Sequence, residues 1–524
     1  MRNIRLPLAV ALILALLGGA LSQGGTSLAI LYTSEHHGQA TPDSNGRGGF
    51  AARATYVNQV RAEVGADQVL LLDSGDLLVG TPLSTVFRGE PDVLAMNAMG
   101  YDAMSLGNHE FDFGNSRTLE LMALANFPMM AANIVGATGF DPGSVVLERS
   151  GLKILVFGII NTDAPEISSP DPELLFLDGA QVTSAICQAT SRGQFDLVIA
   201  LTHQDNDDDV RLLDEASCVD VVIGGHVNGF AGLVQRGTAP GAVPADNAAG
   251  SDPVTVADPD GIFVRAPRLG FGVGRLDLTV VDGQMVSATQ QNVAIVQEGV
   301  DNMGNPRPGL APDPAVAAVL DPFVAQLSVA LSQVVGRVDV NLDGERNNVR
   351  TTETNLGDLI ADLQRQLTGA DIGFANGGGI RASIPAGEVT LDQIIKVLPF
   401  GNTLVTFELT GTQVRAALEN AVSQVENTAG RFLQVSGLRF TWDASQSPGS
   451  RVVEVLVGGQ PLDDERIYTI ATNDFLAGGG DGYQVFTEGQ NLYNSQQLLA
   501  DILADAIRAG AAIPLVEGRI TRLN

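Results

Sequence analysis

Basic residues are scarce in this chain of 524 amino acids. Lysine and arginine number 30 against 60 aspartates and glutamates, which gives a formal charge of −30 and an isoelectric point near 4.3. Polymeric nucleic acid is bound through basic surfaces whose side chains neutralise phosphates. The charge balance therefore argues against a nucleic acid polymer as partner. An anionic small molecule would need attraction from bound metal or from a few well-placed arginines.

The apolar run at the N-terminus is short. Residues 1–22 carry Arg2 and Arg5, an apolar stretch from Leu6 to Leu17 and then small residues, which is the pattern of a secretory signal peptide and is too short for a comfortable membrane span. No cysteine lies near the expected cleavage point and no apolar tail follows Arg519, so no lipid attachment is predicted at either end. We expect a periplasmic or secreted protein without a stable membrane anchor.

Only two cysteines occur. Cys187 falls in a helix-like stretch and Cys218 stands just before a strand-like run. In an oxidising compartment the two could pair. Two buried free thiols are the alternative, because the sequence gives no distance between them.

Histidine is equally sparse, with five in the chain and none after His226. Each histidine closely follows a run that reads as a buried strand. His36 and His37 follow residues 28–31, His109 follows 104–106, His203 follows 197–202, and His226 follows 219–223. In an open α/β sheet, the carboxyl ends of strands are where sites form. A fifth strand-like run, 69–72, ends in Asp73-Ser74-Gly75-Asp76 and adds a carboxylate at the same edge.

The length predicts two to three domains. Strand-like runs alternate with amphipathic helical stretches between residues 28 and 278, which is typical of a layered α/β domain. The segment from Gly237 to Gly261 reads as a long loop, and an apolar helix from Pro314 to Val335 follows a change of composition. We predict a signal peptide at 1–22, a catalytic domain at 27–305, a linker with a bridging helix at 306–336 and a C-terminal domain at 337–524.

The C-terminal domain reads as a second α/β unit. We predict helices at 355–367, 391–397, 412–422 and 494–509, and strands at 372–375, 403–409, 433–442, 452–457 and 467–472. Thr410 is a candidate helix cap, and Gly458-Gly459 is a candidate hairpin turn.

Several motifs of the two halves occur in one order. The first half has Glu35-His36-His37-Gly38, Gly75-Asp76, Gly107-Asn108-His109-Glu110, Thr202-His203 and Gly225-His226-Val227-Asn228, and this order resembles the calcineurin-like metallophosphoesterases. The second half adds Asn376-Gly377-Gly378-Gly379-Ile380-Arg381, Leu398-Pro399-Phe400 and the stretch NDFLAGGGDGY at 473–483. The whole is similar to the exported 5′-nucleotidase family. The resemblance implies an α/β fold with a four-layer metallophosphoesterase β-sandwich flanked by helices, a linker helix and a C-terminal α/β nucleotide-binding domain.

The resemblance further implies two divalent metal ions, for which oxygen and imidazole ligands suit Zn²⁺, Mn²⁺ or Co²⁺. Asp76 would bridge the two ions. One ion would also take Glu35, His37 and Asn228, and the other Asn108, His203 and His226. His109, oriented by Asp112, would protonate or stabilise the departing ribose oxygen. The family usually has Asp where Glu35 stands, and the additional methylene moves the carboxylate by about 1.5 Å.

Two neighbouring features are interpreted differently. His36 projects to the face opposite His37 if the segment is extended, so we predict that it is not a metal ligand. The acidic run from Asp205 to Asp209 could suggest a metal site, but we interpret it as a solvated loop.

The resemblance assigns a substrate-binding role to seven residues of the second half. Those for the anionic and ribose parts of a nucleotide are Arg350, Asn376, Gly378 and Arg381, with Asp481 for the ribose hydroxyls and with Phe400 and Phe475 as a clamp around the base. Guanidinium groups match phosphate oxygens, and aromatic faces stack on any base. Core packing is the alternative for the two phenylalanines, but their position beside Pro399 and beside the Gly478-Gly479-Gly480 loop favours the clamp.

These observations predict an exported phosphohydrolase that removes the 5′-phosphate from nucleoside monophosphates with metal-activated water. A 2′,3′-cyclic-nucleotide phosphodiesterase or a nucleotide-sugar hydrolase of the same family remains an alternative. So does a nucleotide-binding protein whose catalysis is weakened by Glu35, and so does the sulfur-compound hydrolase branch that shares the architecture. The expected partner is a small-molecule nucleotide, and the expected state is a monomer or homodimer.

Overall fold

A computed structural model of the chain describes residues 25–136, 138–168, 170–190, 193–227, 232–238, 252–300 and 305–524. The strands of the first half are β1 (Thr26–Thr33), β2 (Val69–Asp73), β3 (Ala103–Ser105), β4 (Met129–Met130), β5 (Ile134–Val135), β6 (Ser144–Arg149), β7 (Leu152–Ile160), β8 (Leu175–Phe176), β9 (Leu197–His203), β10 (Val221–Gly224), β11 (Leu233–Gln235), β12 (Val254–Ala257), β13 (Ile262–Arg265), β14 (Gly272–Val281), β15 (Gln284–Ala294), β16 (Gly299–Val300) and β17 (Pro306–Arg307). The helices are α1 (Phe50–Val64), α2 (Pro82–Phe87), α3 (Glu90–Met99), α4 (Gly114–Leu124), α5 (Ala164–Ile167), α6 (Gly179–Ala189), α7 (Asn206–Glu215) and α8 (Pro314–Leu331).

Two sheets form the centre of the first half. Their strand orders are β12-β15-β14-β1-β2-β3-β4 and β11-β13-β10-β9-β7-β6. In the first sheet β1, β2, β3 and β4 are parallel neighbours, and in the second β7, β9, β10 and β13 are. The parallel strands of each sheet therefore end at one edge, and the loops that leave this edge carry the histidines.

Side chains alternate between two cores along these strands. Leu28 and Ile30 of β1 lie in the core between the sheets, whereas Ala29 and Leu31 lie in the core beneath α1 and α3. A third core, beneath α6 and α7, covers the outer face of the second sheet. Parallel strands buried on both faces read as nearly continuous apolar runs, as they do here. Helices, sheet, sheet and helices form four layers, so the predicted four-layer sandwich is confirmed.

The second half is also α/β. Its strands are β18 (Val334–Val338), β19 (Ile372–Asn376), β20 (Gly387–Thr390), β21 (Thr403–Thr410), β22 (Leu433–Ser436), β23 (Leu438–Asp443), β24 (Val452–Val457), β25 (Gln460–Pro461), β26 (Ile467–Asn473), β27 (Gln490–Leu498) and β28 (Ile520–Leu523). Its helices are α9 (Arg346–Val349), α10 (Asn355–Thr368), α11 (Leu391–Val397), α12 (Gly411–Ala421), α13 (Asp474–Ala477) and α14 (Leu499–Arg508). The sheets have the orders β22-β19-β26-β21-β27 and β25-β24-β23-β28.

Two local signals of this half are confirmed. The Thr410 side chain accepts a hydrogen bond from the backbone N–H of Gln413 and caps α12. Gly458 and Gly459, with φ of 58° and 80°, connect β24 to β25, and only glycine adopts such a pair of conformations without strain.

The bridging helix α8 is shorter than predicted. It ends at Leu331 rather than at Val335, because Val334 begins β18, which pairs with β20. Val316 and Leu320 are its buried residues, and the helix packs against α1, α2 and α3. By length and composition alone α8 is also apolar enough to cross a membrane.

Three predicted elements of the chain are wrong in their bounds. The predicted strand 433–442 is two strands, since Gly437 with φ of 77° separates β22 from β23. The predicted helix 494–509 begins only at Leu499, because residues 494–498 belong to β27 and pair with β21. The predicted loop 237–261 contains β12, which pairs with β15; residues 239–251 of it lie outside the described part of the chain.

The interpretation of Asp205 to Asp209 as a solvated loop is also wrong. Asp205 occupies the N-cap position of α7, and Asp209 lies in the helix with no exposed surface. The two cysteines, for which two alternatives were open, form a disulfide: Cys187 of α6 is joined to Cys218, with a Cα–Cα distance of 5.5 Å. The bond ties α6 to the segment that leads into β10.

Candidate metal centre and nucleotide site

The loops that follow β1, β2, β3, β9 and β10 bring the predicted metal ligands together. Four of these ligands have a backbone φ in the left-handed region, which is uncommon for residues other than glycine; they are Glu35 (53°), His37 (46°), Asp76 (59°) and His226 (73°). Such conformations cost free energy and persist only where surrounding contacts fix them. Tertiary contacts, rather than local propensity, therefore hold this site.

One donor group consists of Glu35, Asp76 and His203, all of them buried. His203 Nδ1 lies 2.7 Å from the carbonyl oxygen of Ser74, which can only accept, so Nδ1 carries a proton and Nε2 is the atom left for a metal. Burial would lower the pKa of His203, but the carboxylates of Asp76 and Glu35 raise it to about 9, so a metal ion would replace a proton on Nε2. His203 Nε2 is buried without a hydrogen-bond partner and lies 3.1 Å from Asp76 Oδ1. A ring nitrogen that faces a carboxylate oxygen in the interior is an arrangement that suits a bound cation.

The second donor group consists of His37, Asp76 and His109. His109 Nε2 lies 3.8 Å from Asp76 Oδ2, and the rings of His37 and His109 are 4.9 Å apart between centroids. His109 Nδ1 lies 2.7 Å from Asp112 Oδ2, so this carboxylate orients the imidazole. The two groups share Asp76, the residue that we predicted as the bridge. His109, which we predicted as an acid and not as a ligand, therefore lies among the groups that could hold a metal ion.

Asn108 and His226 adjoin the first donor group. His226 Nδ1 lies 3.2 Å from Asn108 Oδ1, and the backbone N–H of His226 donates to Glu35 Oε1. Glu35 Oε2 lies 3.2 Å from His37 Nε2, so the longer side chain of Glu35 spans the two donor groups. Asn228, the remaining predicted ligand, lies outside the described residues.

Electrostatic coupling within the site is strong. Burial would raise the pKa of Asp76, but the neighbouring His203 and His109 hold it well below its usual value. Burial would lower the pKa of His109, but the carboxylates of Asp112 and Asp76 hold it well above its usual value. A histidine with a raised pKa carries its second proton at neutral pH, here on Nε2, because Nδ1 faces Asp112.

Glu110 joins two of these loops, and sequence reasoning assigned it no role. Its carboxylate accepts the backbone N–H groups of Gly107 (2.6 Å), Asp76 (3.0 Å) and Leu77 (2.7 Å). Burial and the charge of Asp76 raise the pKa of Glu110 to about 8, against the opposing effect of these N–H groups. The signal for this role was its place next to His109 in the motif, but two of its three partners lie 33 and 34 residues earlier in the chain.

The donor atoms fit a metal ion. A Cβ on Gly107 would lie 2.4 Å from Asp76 Oδ1, and one on Gly225 would lie 2.8 Å from His203 Nδ1 and 3.2 Å from Glu35 Oε1. Glycine at both positions therefore lets the loops after β3 and β10 approach the donor side chains closely. Imidazole and oxygen donors without a thiolate are the ligand set of divalent ions such as Zn²⁺, Mn²⁺ and Co²⁺.

His36 lies away from the donor groups, as predicted. Its Nε2 is 2.6 Å from Asp73 Oδ2 and its Nδ1 is 2.6 Å from Arg53 Nη1, and all three side chains are buried. Asp73 also accepts the N–H of Gly75 at 2.9 Å. This buried network supports the β1 and β2 loops from behind.

The second half brings part of the predicted nucleotide site together. Asn376 Nδ2 donates to Asp481 Oδ2 at 2.7 Å, and a Cβ on Gly378 would lie 3.1 Å from the same oxygen. Arg350 is buried, its Nη1 donates to the carbonyl of Thr428 at 3.2 Å, and its Nε has no hydrogen-bond partner. Burial, followed by the positive charges of Arg346 and Arg381, lowers the pKa of Arg350. Arg350 therefore feels the positive charges of two other arginines, an arrangement that an anion would stabilise.

The base clamp, defined as Phe400 and Phe475, is exposed. Each ring is 48 % exposed, and no other phenylalanine that the structure describes is as exposed. Core packing is therefore excluded for both. The Arg381 guanidinium lies 5.7 Å from the centre of the Phe400 ring, and a Cβ on Gly480 would lie 2.6 Å from the Phe475 ring, so the glycine loop lets that ring pack closely.

The base clamp adjoins the metal-site loops. A Cβ on Gly401 would lie 2.0 Å from Val79 Cγ1, three residues after Asp76 in the chain. Helix α13, which carries Phe475, contacts α5 of the first half. The two halves therefore meet next to the loop that carries Asp76.

Comparison with known proteins agrees with this geometry. Residues 28–229 match the family model of the calcineurin-like phosphoesterases, and residues 334–488 match that of the 5′-nucleotidase C-terminal domain. The chain is 32 % identical over 544 residues to the snake venom 5′-nucleotidase of Gloydius brevicauda, which covers 96 % of this chain and 90 % of that protein. It is also 32 % identical to the trifunctional nucleotide phosphoesterase protein YfkN of Bacillus subtilis, over 94 % of this chain but only 35 % of that longer protein.

A solved structure is similar along nearly the whole chain. The 5′-nucleotidase precursor of Thermus thermophilus is 33 % identical, with a TM-score of 0.61, over 95 % of this chain and 100 % of that one. Both family models, long relatives above 30 % identity and this structure agree on one family. The chain therefore belongs to the 5′-nucleotidase family, and it is a metal-dependent phosphomonoester hydrolase.

Proposed function

We propose that this protein is an exported two-metal phosphohydrolase that removes the 5′-phosphate from nucleoside monophosphates. The observation that carries the proposal is that two donor groups share Asp76, which makes Asp76 the bridge; of the donors, His109 is assigned to proton transfer and the others to the metal ions. The exposed base clamp and the positive charges around Arg350 support a nucleotide as the substrate.

The proposed metal ligands are Glu35, His37, Asp76, Asn108, His203 and His226, with Asn228 from the sequence resemblance. Divalent ions bound by these residues would supply Lewis-acid chemistry, which neutralises charge on phosphoryl oxygens and activates the attacking water. His203 suits this role because Ser74 holds its Nδ1 proton and leaves Nε2 directed at Asp76, so a metal ion that displaces the second proton would meet a lone pair there.

His109 is the proposed general acid. Asp112 holds its Nδ1, so the proton to be transferred sits on Nε2, and the charge of Asp112 favours the protonated imidazole. Transfer of this proton to the departing 5′-oxygen would stabilise the nucleoside as it leaves. Asp112 positions the ring and does not itself need to touch the substrate.

The second half is proposed to hold the nucleotide. Arg350 and Arg381 bind phosphate oxygens, since guanidinium groups match them in shape and charge. Asp481 binds the ribose hydroxyls with Oδ1, since its Oδ2 accepts from Asn376. The base clamp stacks on either face of the base, which favours nucleotides but tolerates different bases.

Export is supported by the disulfide. Disulfides form and persist in the bacterial periplasm and outside cells and are rare in the cytosol. The bond between Cys187 and Cys218, together with the signal-peptide pattern of residues 1–22, is consistent with a periplasmic or secreted enzyme.

The test is phosphate release by the purified protein after removal of metal by chelation and addition of Mn²⁺, Zn²⁺ or Co²⁺. The substrates are AMP, 2′,3′-cyclic AMP, a nucleoside diphosphate sugar and ribose 5-phosphate, which lacks a base. We expect AMP to be hydrolysed best and only with metal. Phe475→Leu should raise KM for AMP roughly 5- to 150-fold, the value of one base stack, and leave KM for ribose 5-phosphate unchanged.

The other outcomes discriminate among the alternatives. Tight AMP binding without phosphate release would indicate a nucleotide-binding protein rather than an enzyme. A single metal ion per chain in elemental analysis would then indicate that the ion expected at Glu35 binds weakly. Preference for the cyclic or the sugar nucleotide would retain the site and change the substrate.

A further inference from the structure

A buried ion pair lies directly behind two of the proposed metal ligands. Arg265 is the last residue of β13, and Asp209 lies in α7. Arg265 Nη2 donates to Asp209 Oδ2 at 3.0 Å, and the two side chains are 1 % and 0 % exposed. Neither residue belongs to a donor group or to the nucleotide site.

The same guanidinium also reaches three backbone carbonyls. Nη1 donates to the carbonyl of Gly225 and, at 3.1 Å, to that of Val227, and Nη2 donates to the carbonyl of Gln204 at 3.2 Å. Gln204 directly follows His203, while Gly225 and Val227 stand on either side of His226. One rigid side chain therefore fixes the backbone at two histidines that come from two different strands.

The backbone of His226 needs such a restraint. Its φ of 73° is uncommon for a residue with a side chain, and a strained conformation persists only when its surroundings determine it. The hydrogen bonds of Arg265 to the residues before and after His226 supply that determination. Gly224 completes the packing, because a Cβ there would lie 2.4 Å from Asp209 Oδ2 and 3.0 Å from Arg265 Nη2.

The fork of the guanidinium explains why an arginine stands here. Its N–H groups point in fixed directions and can serve several acceptors at once, whereas a lysine ammonium is a single point on a flexible stem. Asp209 offsets the charge that burial would otherwise make unfavourable, so that the arginine can remain next to a site that itself binds cations. The pair therefore fixes the position of the backbone and adds no net charge to the site.

We propose that Arg265, braced by Asp209, is a positioning residue of the metal centre, which sets the places of the His203 and His226 imidazoles and so determines metal affinity. The proposal rests on the proposed role of these histidines as metal ligands. Groups behind a metal ligand typically change metal affinity by roughly 10- to 100-fold when they are removed. We expect an effect of that size here.

The experiment compares Arg265→Lys with the wild type as full-length, folded proteins. Lysine keeps the charge beside Asp209 but cannot serve the three carbonyls. Metal affinity is measured by competition between the protein and a chromophoric chelator for Zn²⁺, and the ligand geometry by the visible absorption of the Co²⁺ form. We expect the weaker of the bound Zn²⁺ equivalents to bind roughly 10- to 100-fold less tightly, with a changed Co²⁺ spectrum. At limiting metal, kcat should fall while KM for AMP is retained, and excess metal should restore kcat.

The matched control is Arg519→Lys. Arg519 is also largely buried and also pairs with a carboxylate, through Nη1 and Nη2 to Asp362 at 2.7 and 2.9 Å, but it lies in the second half. This variant should lose stability without losing metal affinity. If it lowers metal affinity as much as Arg265→Lys does, the effect is general destabilisation and the proposal is overturned.

Two further outcomes decide the matter. A folded Arg265→Lys protein with wild-type Zn²⁺ affinity and Co²⁺ spectrum overturns the proposal. If Arg265→Lys does not fold, Asp209→Asn decides instead, because it leaves the arginine in place and removes only its charged brace; a several-fold loss of affinity supports the proposal, and unchanged affinity overturns it. A wild type that binds no divalent metal would instead remove the proposed metal centre itself, so the two failures are distinguishable.

Discussion

Reduction of the disulfide should destabilise the first half of the molecule and spare the second. The bond joins Cys187 to Cys218 across a sequence separation of 31 residues. In the chain-entropy model, a closed loop of this size lowers the entropy of the unfolded chain by about 12 cal/mol/K, which corresponds to about 4 kcal/mol at 25 °C. Since α6 and the segment before β10 cover only the second sheet of the first half, the stabilisation should be confined to that half.

A single tryptophan makes this localisation measurable. Trp442 is 1 % exposed in a core of the second half, so its fluorescence reports the unfolding of that half, whereas far-UV circular dichroism reports both. Urea titrations with and without a thiol reductant should shift the dichroism transition of the first half by at least about 1 M, given slopes of about 1–3 kcal/mol/M. The fluorescence transition should not move.

The doubly substituted protein is the control. Cys187→Ser/Cys218→Ser should unfold at the midpoint of the reduced wild type and should not respond to reductant. If mass spectrometry finds the bond in the untreated protein and yet reductant leaves the dichroism midpoint unchanged, the loop-entropy reasoning is refuted. A fluorescence shift of equal size would refute the confinement to the first half.

Three substitutions test other parts of the structure. Gly107→Ala places a methyl group 2.4 Å from Asp76 Oδ1 and should lower bound metal in elemental analysis at least roughly tenfold, comparable to loss of a supporting group. Glu35→Asp shortens the side chain by about 1.5 Å and should lose the hydrogen bond from the His226 N–H, so metal affinity should fall; tighter binding would contradict this. Burial raises the pKa of Asp92 to about 7, above its unfolded value, so its ionisation destabilises the fold as pH rises from about 4 to 7. The free energy of unfolding of Asp92→Asn, measured in urea, should therefore equal that of the wild type near pH 4 and exceed it at pH 8 by up to about 4 kcal/mol. Equal free energies at both pH values would show that burial does not raise the pKa of Asp92.

The convergence of the proposed metal ligands could be predicted from the sequence because these residues follow strand ends. The runs before His109 and His203 are apolar and short, which indicates buried strands, and parallel strands of one sheet end together. The rarity of histidine made that coincidence informative. The layered α/β class could be predicted for a related reason, since strands without polar alternation must be covered on both faces. The number of layers came from the family resemblance.

The groups that support the ligands could not be predicted in this way. Glu110, Asp209 and Arg265 act on backbone atoms that are distant in the chain, and neither a hydrophobic period nor a turn signal records such contacts. Asp209 is the clearest case, because four further acidic or amide residues precede it and a run of that composition is usually solvated. Its burial depends on Arg265, which β13 brings to the end of β10.

The backbone conformations of the proposed ligands show why the supporting groups that the sequence does not predict are found at this site. Glu35, His37, Asp76 and His226 all have positive φ, so that local preference opposes the native backbone at each of them. A sequence in which every local preference agreed with the fold would not place such residues there. The opposition is resolved by contacts from elsewhere, among them Glu110 beneath the Asp76 loop and Arg265 beneath His226. Sequence patterns therefore identify the residues that meet the metal more readily than those that hold them in place, because the former are marked by chemistry and the latter only by the fold.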